Sequence, residues 1–294
     1  MKLGFIGIGN MGKPMATTLM KANHQVSIFD LNPKPLEELA KLGAIVKNKI
    51  AEIPPSAEVI FLSLPSHVAV EEVMLGAGGV LSALKEGQIV VDTTTSLPST
   101  SRKIAEQVKK AGGDFLDASL SGGPDGAAAQ TLTFMVGGEA KALERVRGLL
   151  ETLGKKIFHI GSNGLGNAMK LINNMITATN TACFMEGLVV GTKAGIPADT
   201  LFDVISSCSG NSYAFQKKAP RILGGNFKPM FALDLEYKDI ALGTMVAQDL
   251  KAPVFLASVA KALFEMARAK GLGQEDNVAL IKVLEEISGV QVRR

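Results

Sequence analysis

The hexad Gly7-Ile8-Gly9-Asn10-Met11-Gly12 stands between a short apolar run and a segment with helical spacing. Few folds accommodate that order. Gly7 permits a tight turn out of a strand, Gly9 lets a bound group approach the backbone, and Gly12 lets a helix start close against the strand. A helix N-terminus placed there offers N–H groups and the positive end of a dipole to an anion such as a pyrophosphate. Six residues alone are a weak signal. Here a strand precedes, a helix follows, and the acidic Asp30 ends the next apolar run, which is the context of a dinucleotide-binding βαβ unit.

The first half of the chain repeats this alternation. Strands are predicted at Lys2–Ile8, Gln25–Asp30, Val59–Leu64, Gln88–Asp92, Asp114–Asp117 and Leu132–Val136. Helices are predicted at Pro14–Lys21, Lys34–Leu42, Val68–Leu75, Ser99–Ala111 and Ala140–Leu153. Continuous apolar strands alternating with helices predict a doubly wound parallel sheet covered on both faces, a Rossmann-type α/β domain. After Gly164-Leu165-Gly166 the pattern becomes helical without interruption to about Ala194, where Gly195 and Pro197 stop it. Helical segments then follow at about Ala198–Cys208, Leu235–Leu250, Phe255–Lys270 and Asn277–Ile287. The predicted organisation is a nucleotide-binding domain over 1–163 and an all-α C-terminal domain over 164–294, entered through the long helix. Gly187, Gly191 and Gly195 recur every fourth residue in that helix, a stripe expected to admit a second helix at close range.

Composition narrows the function. Of 294 residues, 31 are Lys or Arg and 28 are Asp or Glu, a net charge of +3 with no long basic run, so neither nucleic acid nor a membrane surface is an expected partner. No stretch approaches 18 apolar residues without a break, and no apolar leader core forms because Gly7 interrupts the first run. The two cysteines, Cys183 and Cys208, make neither a disulfide framework nor a zinc site, and a reducing cytoplasm fits them. Cys183 is expected in the core of the long helix. No metal site is expected.

The candidate site residues follow from where they fall. Asp30 can accept hydrogen bonds from ribose hydroxyls and repels a 2′-phosphate, and no Arg occurs in Leu31–Leu36, with Lys34 the nearby cation. NAD is therefore expected, NADP less so. Leu64-Pro65 and Thr94-Thr95 follow two strands, and ligands of open parallel sheets lie beyond strand carboxyl ends. Asp117-Ala118-Ser119-Leu120-Ser121-Gly122-Gly123-Pro124 is read as a loop whose hydroxyl and glycine amides suit a carboxylate. Lys170 and Asn174 lie four apart in the long helix, so they share a face. A lysine there can give a proton to a carbonyl oxygen as a hydride arrives. On residues alone each of these also reads as ordinary turn chemistry or a solvated helix lysine.

Taken together and in this order, the pieces resemble the β-hydroxyacid dehydrogenases, the family of 3-hydroxyisobutyrate dehydrogenase and tartronate semialdehyde reductase. The resemblance is carried by Gly4–Met15, Leu62-Ser63-Leu64-Pro65, Asp117–Gly123, Gly164–Asn174 and Phe231–Asp239. It implies a catalytic Lys170 helped by Asn174, a substrate-carboxylate loop at Ser121, Gly122 and Gly123, a cofactor contact from Lys238 and a substrate contact from Phe231. With it come cofactor contacts at Gly7, Gly9, Asn10, Met11, Gly12 and Asp30, and at Leu64, Pro65, Thr94 and Thr95. It further implies a small anionic hydroxy acid or semialdehyde as substrate and a homodimer or homotetramer. The chain departs from the family pattern at Ser119 and Leu120, where Pro and Val are usual, and at Gln130, where glycine is common. Those departures, with the polar Ser209–Tyr213 segment, are expected to bear on the substrate, and a polar tail is favoured. Imine reduction on the same scaffold is the alternative activity, disfavoured by the lysine, and a nucleotide-binding protein without catalysis is the alternative class.

Overall fold

A computed structural model describes residues 1–294, which divide into two compact units, Met1–Lys170 and Leu171–Arg294. In the first, strands β1 (Lys2–Ile6), β2 (Gln25–Phe29), β3 (Ile45–Val46), β4 (Val59–Leu62), β5 (Ile89–Asp92), β6 (Asp114–Ser121), β7 (Leu132–Gly137) and β8 (Gly154–Gly161) form one sheet. Their order is β3-β2-β1-β4-β5-β6-β7-β8. Helices α1 (Gly12–Lys21), α2 (Pro33–Ala40), α3 (His67–Leu75), α4 (Pro98–Lys110), α5 (Gly123–Ala128) and α6 (Ala140–Leu153) alternate with the strands. The reversal of strand order between β1 and β4 creates the crevice in which such sheets hold ligands.

Period-two patterning explains the two-sided core. Leu3, Phe5, Phe61 and Val91 face one side with Met15, Leu19 and Val146 of the helices. Ile6, Ile60, Leu62 and Val90 face the other, with Val70, Met74, Ile104 and Val108. Phe5 and Phe61 stack across the β1–β4 pair, ring centroids 5.6 Å apart. All these strands are parallel up to β6. The expectation of a parallel sheet needs one correction here, because β7 runs antiparallel to β6. Residues 122–131 supply the only connection, too short for the dozen or more residues that a parallel crossover requires. β8 then pairs parallel with β7 as an edge strand, carrying the exposed Lys155 and Lys156 that hid it in the sequence.

Helix α7 spans Leu165–Lys193, 29 residues, close to the predicted span. It begins in the first unit and continues into the second, the division falling at Lys170/Leu171. The second unit contains α8 (Ala198–Ser207), α9 (Tyr213–Leu223), α10 (Leu233–Asp249), α11 (Phe255–Ala269) and α12 (Ile281–Ser288). Its core gathers Phe184, Phe215, Phe264, Ile240 and Leu280. Helix α9 was not foreseen; Pro220 interrupts its pattern, although Ser212 caps it by accepting from the Phe215 amide at 3.1 Å. The glycine stripe does not act as one face. A Cβ on Gly191 would lie 2.4 Å from Leu201 of α8, whereas Gly187 faces open space and Gly195, at φ +81°, lies just beyond the helix C-terminus. Cys183, expected in the core, is exposed on α7. No helix is long and apolar enough to cross a membrane.

Candidate active site

The glycine hexad has the backbone that its residue types require. Gly7 has φ +92°, and a Cβ there would meet the Ser63 carbonyl oxygen at 2.2 Å. A Cβ on Gly12 would meet the Gly7 carbonyl oxygen at 1.9 Å, so only glycine lets α1 start against β1. Gly9 differs: nothing lies within 4 Å of its missing Cβ. The backbone there is open beside the first turn of α1 with Asn10 and Met11, and a helix N-terminus of this kind suits an anion. Asp30 sits at the end of β2, half-buried. Its Oδ2 accepts from the Ile8 amide at 2.5 Å and its Oδ1 from the Asn32 amide at 2.7 Å. Ile8, Gly9 and Asn10 of the hexad thus line one groove with Asp30, Asn32, Lys34 and Lys13, the last ion-paired with Glu38.

The next strand ends are tied to each other. Thr94 is buried, and its Oγ1 accepts from the Leu64 amide at 3.0 Å while its amide donates to Asp92 Oδ1 at 2.9 Å. The Thr94 side chain is therefore committed within the protein, whereas Thr95 is half-buried and Pro65 exposed. Asp92 is fully buried and its Oδ2 accepts no hydrogen bond, and burial pushes its carboxyl up to about 7. It pairs in register with Asp117 on β6, whose carboxyl burial also raises.

The Asp117–Pro124 segment is not the loop expected. Strand β6 continues to Ser121, and Asp117, Ser119 and Ser121 alternate with Ala118 and Leu120. The polar residues at alternate positions give the segment the look of a loop. Only Gly122 and Gly123, at φ +133° and +63°, form the turn into α5. Asp117 serves α7: its Oδ1 accepts from the Gly164 amide at 2.8 Å and its Oδ2 from the Asn167 amide at 2.9 Å. These amides open the helix and have no intrahelical acceptor, so Asp117 caps it from a neighbouring strand. Ser119 is wholly buried, so its departure from the family pattern does not address a substrate directly.

Lys170 stands at the sixth residue of α7 and Asn174 one turn later. In the second unit, Asn174 is buried and its Nδ2 donates to Asp239 Oδ2 at 2.6 Å, while its Oδ1 accepts from Asn173 Nδ2 at 3.0 Å. Lys238 Nζ lies 3.2 Å from Asp239 Oδ1. Asp239 thus gathers Asn174 and Lys238, a role that sequence reading missed because the two segments lie 65 residues apart. Phe231 is half-buried and held at the backbone, its amide donating to Asp276 Oδ2 at 3.2 Å. The polar Ser209–Tyr213 segment is partly explained by local structure. Ser212 caps α9, and Asn211 donates to the Ser206 carbonyl and accepts from Gln216.

Residues 2–161 match the profile of the NAD binding domain of 6-phosphogluconate dehydrogenase. Residues 164–284 match that of the NAD-binding region of NADP-dependent 3-hydroxyisobutyrate dehydrogenase. The chain is 40% identical to 2-(hydroxymethyl)glutarate dehydrogenase of Eubacterium barkeri, over 99% of this chain and 97% of that protein. It is 35% identical to 2-hydroxy-3-oxopropionate reductase of Escherichia coli K12, covering 97% of each. The solved 3-hydroxyisobutyrate dehydrogenase of Mycobacterium tuberculosis, with L-serine, superposes with a TM-score of 0.90 at 33% identity, covering 97% of this chain and 99% of that one. The two family profiles and these relatives extend along nearly the whole chain, which belongs to the β-hydroxyacid dehydrogenase family of NAD(P)-dependent oxidoreductases.

Proposed function

We propose that the protein interconverts a small β-hydroxy acid and its semialdehyde or keto form with NAD(H), using Lys170 as the proton donor and acceptor. The observation that carries this is the groove at Gly9 closed on one side by Asp30. An anion at that place favours ribose hydroxyls and opposes a 2′-phosphate. Gly7, Gly9, Asn10, Met11, Gly12, Asp30, Leu64, Pro65 and Thr95 hold the dinucleotide in this reading, with Thr94 keeping the Leu64 turn in place and Lys238 contributing from the helical unit. Bound NAD(H) supplies or takes the hydride.

The protein's own groups do the rest. Ser121 and the Gly122 and Gly123 amides hold the substrate carboxylate, which fixes the carbinol carbon. Lys170 Nζ gives a proton to the carbonyl oxygen in reduction and takes it back from the hydroxyl in oxidation. Asn174, oriented by Asp239, steadies the lysine or the substrate oxygen, and Phe231 is read as a substrate contact. Lysine chemistry of this kind suits an alkoxide and not an imine, which ranks imine reduction second. A substrate with a polar tail fits the relative that acts on 2-(hydroxymethyl)glutarate. The free cysteines fit a reducing compartment such as the cytoplasm.

A panel of small hydroxy acids and semialdehydes, followed at the nicotinamide absorbance band, tests the reading. We expect turnover with NADH at least about tenfold better in kcat/KM than with NADPH, a difference of roughly 1.4 kcal/mol. Substrate amides or methyl esters should react far more slowly than the acids. NADPH equal to or better than NADH would refute the role given to Asp30.

A further inference from the structure

We propose that Asn167, with Ser119, is the positioning residue that sets Lys170 for proton transfer; the proposal rests on the reading of Lys170 as proton donor. Asn167 is wholly buried and precedes Lys170 by three residues in α7, so the two lie on adjoining positions of one helix face. Its side-chain oxygen accepts two hydrogen bonds, from the Ser96 amide and from Ser119 Oγ, both at 2.8 Å. Its Nδ2 donates to Ser101 Oγ at 2.9 Å, and its own amide donates to Asp117 Oδ2 at 2.9 Å. A buried amide is costly unless satisfied, and this side chain is satisfied by three residues from three places: Ser96 after β5, Ser101 in α4 and Ser119 in β6.

Those segments are informative. Ser96 follows Thr95, which the proposed function places against the cofactor. Ser119 lies two residues before Ser121 and on the same face of β6, and Ser121 is the proposed carboxylate contact. Asn167 itself precedes the proton donor. One side chain therefore locks into a common frame the three groups whose relative placement decides the rate. Misplacement by about 1 Å costs on the order of a hundredfold in such geometries. Ser119 stands where the family pattern carries proline, which has no hydroxyl to donate. The departure at this position thus adds a second donor to the Asn167 oxygen, and it acts on the lysine's position from inside the domain, without touching substrate.

A double-mutant cycle on the intact enzyme separates positioning from mere structural support. Asn167→Ala should lower kcat by about a hundredfold and Ser119→Ala by several-fold, with the NADH dissociation constant, read by nicotinamide fluorescence, within about twofold of wild type. In a Lys170→Ala background both fold-losses should shrink to the few-fold that displaced cofactor and carboxylate contacts alone would cause. A folded Asn167→Ala enzyme with wild-type kcat, or equal fold-losses in the presence and absence of Lys170, would overturn the proposal. Should Asn167→Ala fail to fold, the Ser119→Ala arm of the cycle decides alone by the same criterion. Lys170→Ala retaining kcat by itself would instead refute the underlying reading, an outcome read from that single variant before any cycle is closed.

Discussion

Gln130 carries a non-glycine backbone at φ +58°, in the left-handed region, at the turn between α5 and β7. Side chains pay about 1–2 kcal/mol to sit there, and glycine avoids that cost at the expense of a more flexible unfolded chain. Gln130→Gly should therefore stabilise the protein by about 0.5–1 kcal/mol in urea unfolding; a destabilised variant would show that the exposed glutamine makes a compensating contact. The same scale shows which residues could be read from sequence. Gly7 and Gly12 were legible because their demand is local: a turn, and a helix touching its own preceding strand. Asn167 and Asp239 were not. The amide of Ser96 reaches Asn167 across 71 residues of sequence, and no spacing rule encodes that bond. Asp117 received no role from sequence, because a cap supplied from a strand to a helix 47 residues away has no signature of its own.

Among the elements, β5 and β6 hold the least comfortable pair. Asp92 and Asp117 face each other in register, both buried, and only Asp117 has both oxygens occupied. Burial holds the Asp92 carboxyl protonated up to about pH 7, above its ordinary 3.8. The unfolded chain loses that proton at lower pH than the folded one. Asp92 therefore contributes no penalty below about pH 4, an increasing penalty as pH rises towards 7, and a constant one above it. Asp92→Asn should flatten the fall in stability between about pH 4 and 7, measured as melting temperature against pH; an unchanged slope would mean that this carboxyl is ionised in the fold. Element boundaries were legible where a continuous apolar run or a period of 3.6 was clean, as for β1, β4, α4 and α6. They failed where polar residues served other elements: β6 was cut short at Asp117, β8 was hidden by its edge lysines, and α9 by Pro220.

For the whole molecule, the helical unit leaves large apolar side chains in water. Phe255 and Leu256 at the start of α11 are 79% and 74% exposed, with Leu250 and Val259 nearby in sequence. Exposed apolar clusters of this kind mark association surfaces. A homodimer or homotetramer is expected, and light scattering that finds a monomer at micromolar concentration would contradict it. The central claim, however, is chemical, and one variant tests it most directly. Lys170→Ala should lower kcat by at least about 10²–10⁴-fold while NADH affinity stays nearly intact, because general acid catalysis supplies that much. Lys170→Arg should not restore the rate, since a guanidinium keeps its proton at working pH. A Lys170→Ala enzyme that retains most of its kcat would contradict the account.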